Sequence, residues 1–359
     1  MKTDILPQTL AESKDTAGDG SSLPSPRSLR AAIPRSPIAS ATVKQGRQTI
    51  ERILEGSDDR LLLVCGPCSI HDINASLDYA KRLSKLARRV DDSIAIVMRT
   101  YFEKPRSVVG WKGLVYDPNL DGATAPSLGL GIARRLLNRV NELGLPCATE
   151  FLNPVIAPYI EDHIAYGAIG ARTAESQIHR ELASQLPMPI GMKNDMQGNV
   201  DSALNAIRSA NQPHSFFGAN EDGRAAILSS PGNPHAHVFL RGGYAGPNLD
   251  LDSIESATSK LDSAKLKRPI MLDCSHANSG KDFRKQGPNA LKAARLFAEG
   301  QRAIAGIMLE SNLVEGNQPI DPNDTRTYGQ SVTDSCIGWE ETETIVCEIH
   351  QRLKTGIHR

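Results

Sequence analysis

The sequence predicts an α/β fold: a (β/α)8 TIM barrel, preceded by an N-terminal extension and carrying an added hairpin before its sixth strand. Two observations lead there. Eight short apolar runs follow one another from residue 61: LLLVCG, IAIVMRT, LPCATEF, YGAIGAR, MPIGMKN, HVFLRGG, PIMLDCSH and AIAGIMLES. Most are separated by helical stretches such as LDYAKRLSKLARRV and GIARRLLNRVNELG. Runs that are apolar throughout belong to strands buried on both faces, and parallel strands with crossover helices are buried in that way. Eight of them close naturally into a barrel, with a doubly wound open sheet as the alternative. The hairpin is expected at HSFFGA, residues 214–219, shortly ahead of HVFLRGG.

Residues 1–58 read as the extension. From residue 1 to about 30 the chain is rich in Ser, Asp, Pro and Gly with little apolar periodicity, the composition of a flexible leader. VKQGRQTIERIL, residues 43–54, has apolar residues at helical spacing and predicts an amphipathic helix. Residues 59–359 make up the barrel. No internal repeat is visible.

Composition narrows the function classes. Lys+Arg and Asp+Glu both total 41, so no overall field recruits nucleic acid or an anionic membrane, and any anion site must be local. No apolar stretch reaches transmembrane length, and MKTDILPQTLAESKDTAGDGSS lacks the apolar core of a signal peptide, so a cytoplasmic protein is expected. Six cysteines spread over 359 residues do not make a disulfide framework.

Each predicted strand ends at a chemically able residue: Cys68, Arg99, Glu150, Arg172, Lys193, Arg241, His276 and Glu310. Taken singly, a strand-end Arg or Lys pairs with a nearby carboxylate, and a lone His is a hydrogen-bonded core residue. A barrel, however, brings all eight to its C-terminal mouth, where barrel enzymes keep their active sites. Cations converging there repel unless an anion neutralises them, and phosphate or carboxylate groups would do so. The run IVMRTYFEKPRSVVGWKGL adds Lys104, Arg106 and Lys112 to Arg99.

A second subset has metal character: Cys68, His276, Glu310 and, in SVTDSCIGWE, Asp334. One thiolate, one imidazole and two carboxylates suit a divalent transition ion, Mn, Fe, Co or Zn, better than Mg or Ca. The CGPC of VCGPCS matches a thioredoxin-type redox pair, but Cys65 lies inside a strand rather than at a helix start. Residues 65 and 68 would also face opposite sides of an extended segment. In GARTAESQIHRE, Thr173 is expected to cap a helix, leaving Arg172 to face the mouth.

These motifs, GPCSIHD, YFEKPRSVVGWKGL, GAIGARTAESQIHRELAS, LRGG, DCSHANSGK, ESNLVEGNQ and TDSCIGWE, resemble the class I 3-deoxy-D-arabino-heptulosonate 7-phosphate (DAHP) synthases, from about residue 25 onward. The resemblance implies the barrel and a metal-dependent condensation of phosphoenolpyruvate with erythrose 4-phosphate, the first step of the shikimate pathway. It assigns one divalent metal to Cys68, His276, Glu310 and Asp334. Phosphoenolpyruvate falls to Arg99, Lys104, Glu150, Arg172, Lys193 and Arg241. Erythrose 4-phosphate falls to Lys104, Pro105, Arg106, Ser107 and Asp334, and proton handling to Lys104, His276 and Glu150. It also implies a homodimer or homotetramer. Cys336 is expected near Cys68, close enough for an oxidative disulfide.

Departures from the family pattern, among them KNDMQG, FGANEDGRAAIL and ATAPSLGLGIAR, together with NPVIAP and LPMP, fall where members bind an aromatic amino acid inhibitor. Three outcomes stay open there: inhibition by Tyr, inhibition by Phe or Trp, or none. Two rival functions also stay open, a related enzyme using arabinose 5-phosphate and a catalytically silent homologue.

Overall fold

The computed structural model describes residues 22–106, 108–266, 269–320 and 325–356. Its strands are β1 (Leu61–Gly66), β2 (Ile94–Arg99), β3 (Cys147–Glu150), β4 (Ile164–Ile169), β5 (Ile190–Lys193), β6 (His214–Ala219), β7 (Ala225–Ser230), β8 (Ala236–Leu240), β9 (Ile270–Asp273) and β10 (Ile304–Glu310), followed by a small separate pair, β11 (Val314–Asn317) and β12 (Gln330–Ser331). Eight of these close into a parallel barrel in the order β1-β10-β9-β8-β5-β4-β3-β2. The eight apolar runs are thus the eight barrel strands, and every residue of β1, β2 and β4 is buried. The expected hairpin is β6–β7, a separate antiparallel pair. HSFFGA pairs with AAILSS, from Phe217 opposite Ile227 to His214 opposite Ser230.

The helices are α1 (Pro26–Ala32), α2 (Pro37–Glu55), α3 (Ile73–Val90), α4 (Pro126–Glu142), α5 (Ala157–Ile160), α6 (Gln177–Gln185), α7 (Asp201–Ala210), α8 (Leu251–Ser263), α9 (Gln286–Ala298) and α10 (Trp339–Gly356). Local chemistry sets several of their ends. Ser36 caps α2 by accepting from the Ala39 amide at 3.2 Å, Pro37 takes the first helical position, and Gly56 ends the helix at φ 74. Asp72 caps α3 by accepting from the Ala75 amide at 3.0 Å.

Alternate residues along β1 serve two cores. Leu61, Leu63 and Cys65 pack against the helical layer, whereas Leu62 and Val64 join Val97, Ala148, Phe239, Met271 and Met308 inside the barrel. Ile50, Ile53 and Leu54 of α2 belong to that interior cluster, so α2 plugs the N-terminal end of the barrel. Leu54→Ala, at a side chain 1% exposed, is expected to cost about 2–5 kcal/mol, read as a lower urea midpoint at unchanged slope. A smaller loss would mean that α2 is only laid against the barrel.

Two local expectations need correction. The expected leader includes α1, which starts at Pro26 and buries Leu29 completely. Arg27 pairs with Asp222 at 2.7 Å and Arg30 with Glu221 at 3.0 Å, partners in the hairpin turn that local composition cannot reveal. The remainder of the leader, residues 1–21, lies outside the described residues. Thr173 does not cap a helix: α6 starts four residues later, because the Thr173 and Ala174 amides both turn back onto the Gly170 carbonyl at 3.0 Å.

Candidate active site

The barrel register sets the mouth. Gly66 is level with Glu310 on the neighbouring strand, so Cys68, two residues further on, rises beside that carboxylate. Ligand atoms of Cys68, Glu310 and Asp334 all lie within 4.8 Å of one another. His276 stands just outside that trio, its Nε2 3.7 Å from Glu310 Oε1. It adopts φ 48, a conformation rare for a bulky side chain and one that turns the ring toward the cluster.

Its other nitrogen is engaged: Nδ1 lies 2.7 Å from Asp273 Oδ2 and 2.8 Å from the Ser275 hydroxyl. Burial would raise the Asp273 pKa, but His276 and the Ser275 hydroxyl outweigh it and hold this carboxyl well below the usual range. Imidazole directed by a buried carboxylate is the usual support for a metal-ligating histidine, leaving Nε2 free. Gln286 clamps the Glu310 backbone from both sides, donating to its carbonyl at 3.2 Å and accepting from its amide at 2.8 Å. A thiolate, two carboxylates and a directed imidazole fit a divalent transition ion.

Cys65 lies elsewhere. Its Sγ is 3.2 Å from the Tyr79 hydroxyl on α3, on the outer face of the barrel wall, while Cys68 receives the Lys104 ammonium at 3.0 Å. Both thiols are free and buried, as is Cys336. Burial raises the Cys65 pKa to about 11, the opposite of a redox-active thiol.

Beside the cluster opens a cavity of about 390 Å³. Arg99, Lys104, Arg106, Arg172, Lys193, Arg241 and Lys281 line it against Glu150 and Asp334. The described members of the predicted substrate set therefore converge on one space, whereas Ser107 lies outside the described residues. Lys193 and Glu150 form a buried pair at 2.7 Å. Burial pushes the Glu150 pKa up, but Lys193, Lys104 and Arg99 outweigh it and hold this carboxyl at about 2. A Cβ at Gly170 would stand 2.7 Å from Glu150 Oε1, so glycine is what admits the carboxylate there.

Arg99 is more committed than its strand-end position implies. Its Nη2 donates to Glu310 at 2.7 Å and to the Cys68 carbonyl at 3.0 Å, its Nε donates to Pro67 at 3.1 Å, and its guanidinium stacks 3.5 Å from the Tyr101 ring centre. It joins the cation cluster to the metal-type cluster. Arg106 is exposed and donates its Nε to the Trp111 carbonyl at 2.8 Å, and among the described residues its terminal nitrogens have no partner. Burial disfavours charge on Lys104, but the neighbouring Cys68 and Glu310 outweigh it and raise its pKa, so it holds its proton.

Sequence reasoning missed Tyr101, the aromatic floor beneath Arg99 and Lys193; Asp273, behind His276; and Lys281, on the cavity wall. Asp273 and Lys281 both sit in DCSHANSGK, where a carboxylate three residues before the histidine was the available signal. Lys112 lies over the Tyr116 ring, 5.9 Å from its centre, and does not line the cavity.

Comparison with known proteins identifies the family. The model of the DAHP synthetase I family matches residues 38–347. The chain is 48% identical over 332 residues to the Tyr-sensitive phospho-2-dehydro-3-deoxyheptonate aldolase of Salmonella typhimurium, covering 92% of this chain and 93% of that one. To the Phe-sensitive enzyme of Escherichia coli it is 45% identical over 329 residues, 92% of this chain and 94% of that one. The solved phospho-2-dehydro-3-deoxyheptonate aldolase of Francisella tularensis SCHU S4 superposes with a TM-score of 0.92 at 42% identity, covering 95% of this chain and 99% of that chain. The chain therefore belongs to the DAHP synthetase I family, the class I 3-deoxy-D-arabino-heptulosonate 7-phosphate synthases, and is an enzyme of that class.

Proposed function

We propose that the chain condenses phosphoenolpyruvate with D-erythrose 4-phosphate and water, giving 3-deoxy-D-arabino-heptulosonate 7-phosphate and inorganic phosphate, with one divalent cation held by Cys68, His276, Glu310 and Asp334. The observation that supports this most is the cavity lined by seven Lys and Arg side chains beside a thiol–carboxylate–imidazole cluster. Two phosphorylated substrates, one also a carboxylate, supply the anions such a lining calls for.

Arg172, Lys193 and Arg241 hold phosphoenolpyruvate, with Arg99 and Glu150 behind them and Lys104 between the substrates. Lys104, Pro105, Arg106 and Ser107 receive the aldose phosphate, and Asp334 reaches its hydroxyl side. A bound Mn, Fe, Co or Zn ion supplies Lewis-acid polarisation of the aldehyde. As C3 of phosphoenolpyruvate adds to that aldehyde, Lys104 donates a proton to the developing alkoxide, which becomes the new hydroxyl. Water then adds at C2, with Glu150 taking up its proton, since the His276 nitrogens are engaged by the cation on one side and by Asp273 on the other, and the hemiketal phosphate collapses by C–O cleavage.

The test follows phosphoenolpyruvate loss with erythrose 4-phosphate or arabinose 5-phosphate, with and without chelator. Consumption with the four-carbon sugar alone, abolished by chelation and restored by metal, is expected. No consumption with any added divalent metal overturns the reading, and preference for arabinose 5-phosphate replaces it with the octulosonate-type reaction. The relatives named Tyr-sensitive and Phe-sensitive support feedback inhibition by an aromatic amino acid, and Tyr, Phe and Trp are added in turn to identify it. Placement in the cytoplasm and assembly as a homodimer or homotetramer belong to the same reading. No helix among the described residues is long and apolar enough to cross a membrane.

Asp273→Asn leaves the His276 ring without its anionic partner. Metal affinity, measured by competition with a chromogenic chelator, is expected to fall about 10- to 100-fold. Unchanged affinity would free His276 from the ligand set.

A further inference from the structure

Glu103 immediately precedes Lys104 and is 5% exposed, yet among the described residues no Lys or Arg pairs with it. Its partners come from two other segments. Tyr116 Oη lies 3.2 Å from Oε1, the Asn153 amide donates to Oε2 at 3.3 Å, and Asn153 Nδ2 closes the triangle by donating to Tyr116 Oη at 3.1 Å. Asn153 stands three residues beyond Glu150, and its neighbour Leu152 lines the cavity.

The Lys104 side of the loop also lies against its return. The Lys104 amide donates to the Lys112 carbonyl at 2.9 Å. At Gly113, φ 113, a Cβ would sit 2.1 Å from the Phe102 carbonyl oxygen, so the two segments touch backbone to backbone. The Glu103 carboxyl joins this loop to the segment that leaves β3.

We propose that Glu103 is a positioning residue whose buried carboxyl docks the Lys104–Pro105–Arg106 segment against Tyr116 and Asn153, and so sets affinity for the aldose phosphate. This rests on the reading above that Lys104 and Arg106 hold that phosphate. Burial raises the Glu103 pKa to about 7, against the opposing effects of the Asn153 and Tyr116 hydrogen bonds and with the Glu150 charge adding to it. Of the cations nearby, Lys104 directs its ammonium to Cys68 and Lys112 lies over the Tyr116 ring, so neither neutralises Glu103.

The sign follows from linkage. A docked carboxyl with a raised pKa stabilises docking below its ordinary value, and that stabilisation is lost as pH rises through about 7. In the structure the Tyr116 hydroxyl and the Asn153 amide both donate to the carboxyl oxygens; on protonation the Asn153 bond is kept and the Tyr116 bond reverses, the carboxyl donating to Oη. Glutamine reproduces that pattern without the charge.

The experiment measures KM for each substrate from about pH 6 to about pH 8.5 in the full-length metal-loaded wild type, Glu103→Gln and Glu103→Ala. In the wild type, KM for erythrose 4-phosphate is expected to rise about threefold or more relative to Glu103→Gln, with a midpoint near 7, cancelling the substrate's own titration. Glu103→Ala is expected to raise that KM about tenfold at every pH while KM for phosphoenolpyruvate moves little. Equal rises in both KM values would show a merely structural role and overturn the proposal.

A second readout needs no activity. Trp111 sits in the same loop, 9% exposed, with its indole N–H donating to Asp117 at 2.8 Å and its carbonyl accepting from Arg106. Its emission is expected to shift to the red through about pH 7 in the substrate-free wild type and to stay constant in Glu103→Gln. Identical pH profiles in the two proteins would overturn the proposal, whereas that shift without condensation activity would overturn only the assigned reaction.

Discussion

Methionine in place of Lys193 is expected to destabilise the protein by about 3–5 kcal/mol and to abolish phosphoenolpyruvate binding. The side chains are of similar length, so the cavity changes little in shape. What changes is the partner of Glu150, whose carboxylate sits 2.7 Å from the ammonium with 8% of its side chain exposed. An unpaired charge at that depth costs far more than the pair itself contributes.

The pH dependence of stability distinguishes this cause from simple misfolding. In the wild type, Glu150 is held at about 2, below the ordinary carboxylate value, so its contribution is present above that value and is lost as pH falls through about 2. In Lys193→Met the largest opposing charge is gone, burial is countered only by Lys104 and Arg99, and the Glu150 pKa is expected to rise above its ordinary value. Stability is then expected to decline as pH rises through the neutral range. Urea midpoints between about pH 4 and pH 8 read the reversal. Parallel curves for the two proteins would mean that the pair is not coupled as its geometry indicates.

Serine at position 68 is expected to lower metal retention about 100-fold or more, with catalysis falling in step, while serine at position 65 leaves both nearly unchanged. Cys68 is fully buried, within 4.8 Å of Glu310 and Asp334, and approached by Lys104 at 3.0 Å. Cys65 faces Tyr79 on the helical layer, where a hydroxyl keeps the same partner. Metal content after desalting, measured alongside activity, gives a readout that does not depend on turnover. Loss of function in Cys65→Ser with Cys68→Ser intact would restore the redox-pair reading of CGPC.

The barrel was legible because its strands are buried on both faces, and a continuous apolar run is what that burial requires of the sequence. Strand-end chemistry was legible for a related reason: each run stops at a residue that cannot remain in the apolar wall, and all the runs point the same way. The CGPC question also yielded to local geometry, since strand periodicity alone separates Cys65 from Cys68.

Other features left no local trace. Helix α1 reads as leader because its anchoring partners, Glu221 and Asp222, are almost two hundred residues away. HSFFGA showed that a hairpin was needed, but the choice of AAILSS as partner depends on turn geometry around Gly223, which has φ 75. Glu103 reads as one more charge in a charged loop, and its neutral-range titration arises from burial against Tyr116 and Asn153.

The amino-acid sequence by itself determined the barrel, the residues at its mouth and the kinds of anion and cation that those residues attract, because burial period and functional-group chemistry are properties of short segments. Only the tertiary structure decided which of the cations are spent on protein partners. Arg99 pairs with Glu310 and Lys193 with Glu150, while among the described residues the terminal nitrogens of Arg106 have no partner. That division rests on distances across the barrel register, where a few ångströms in a medium of low dielectric separate a paired cation from an unpaired one.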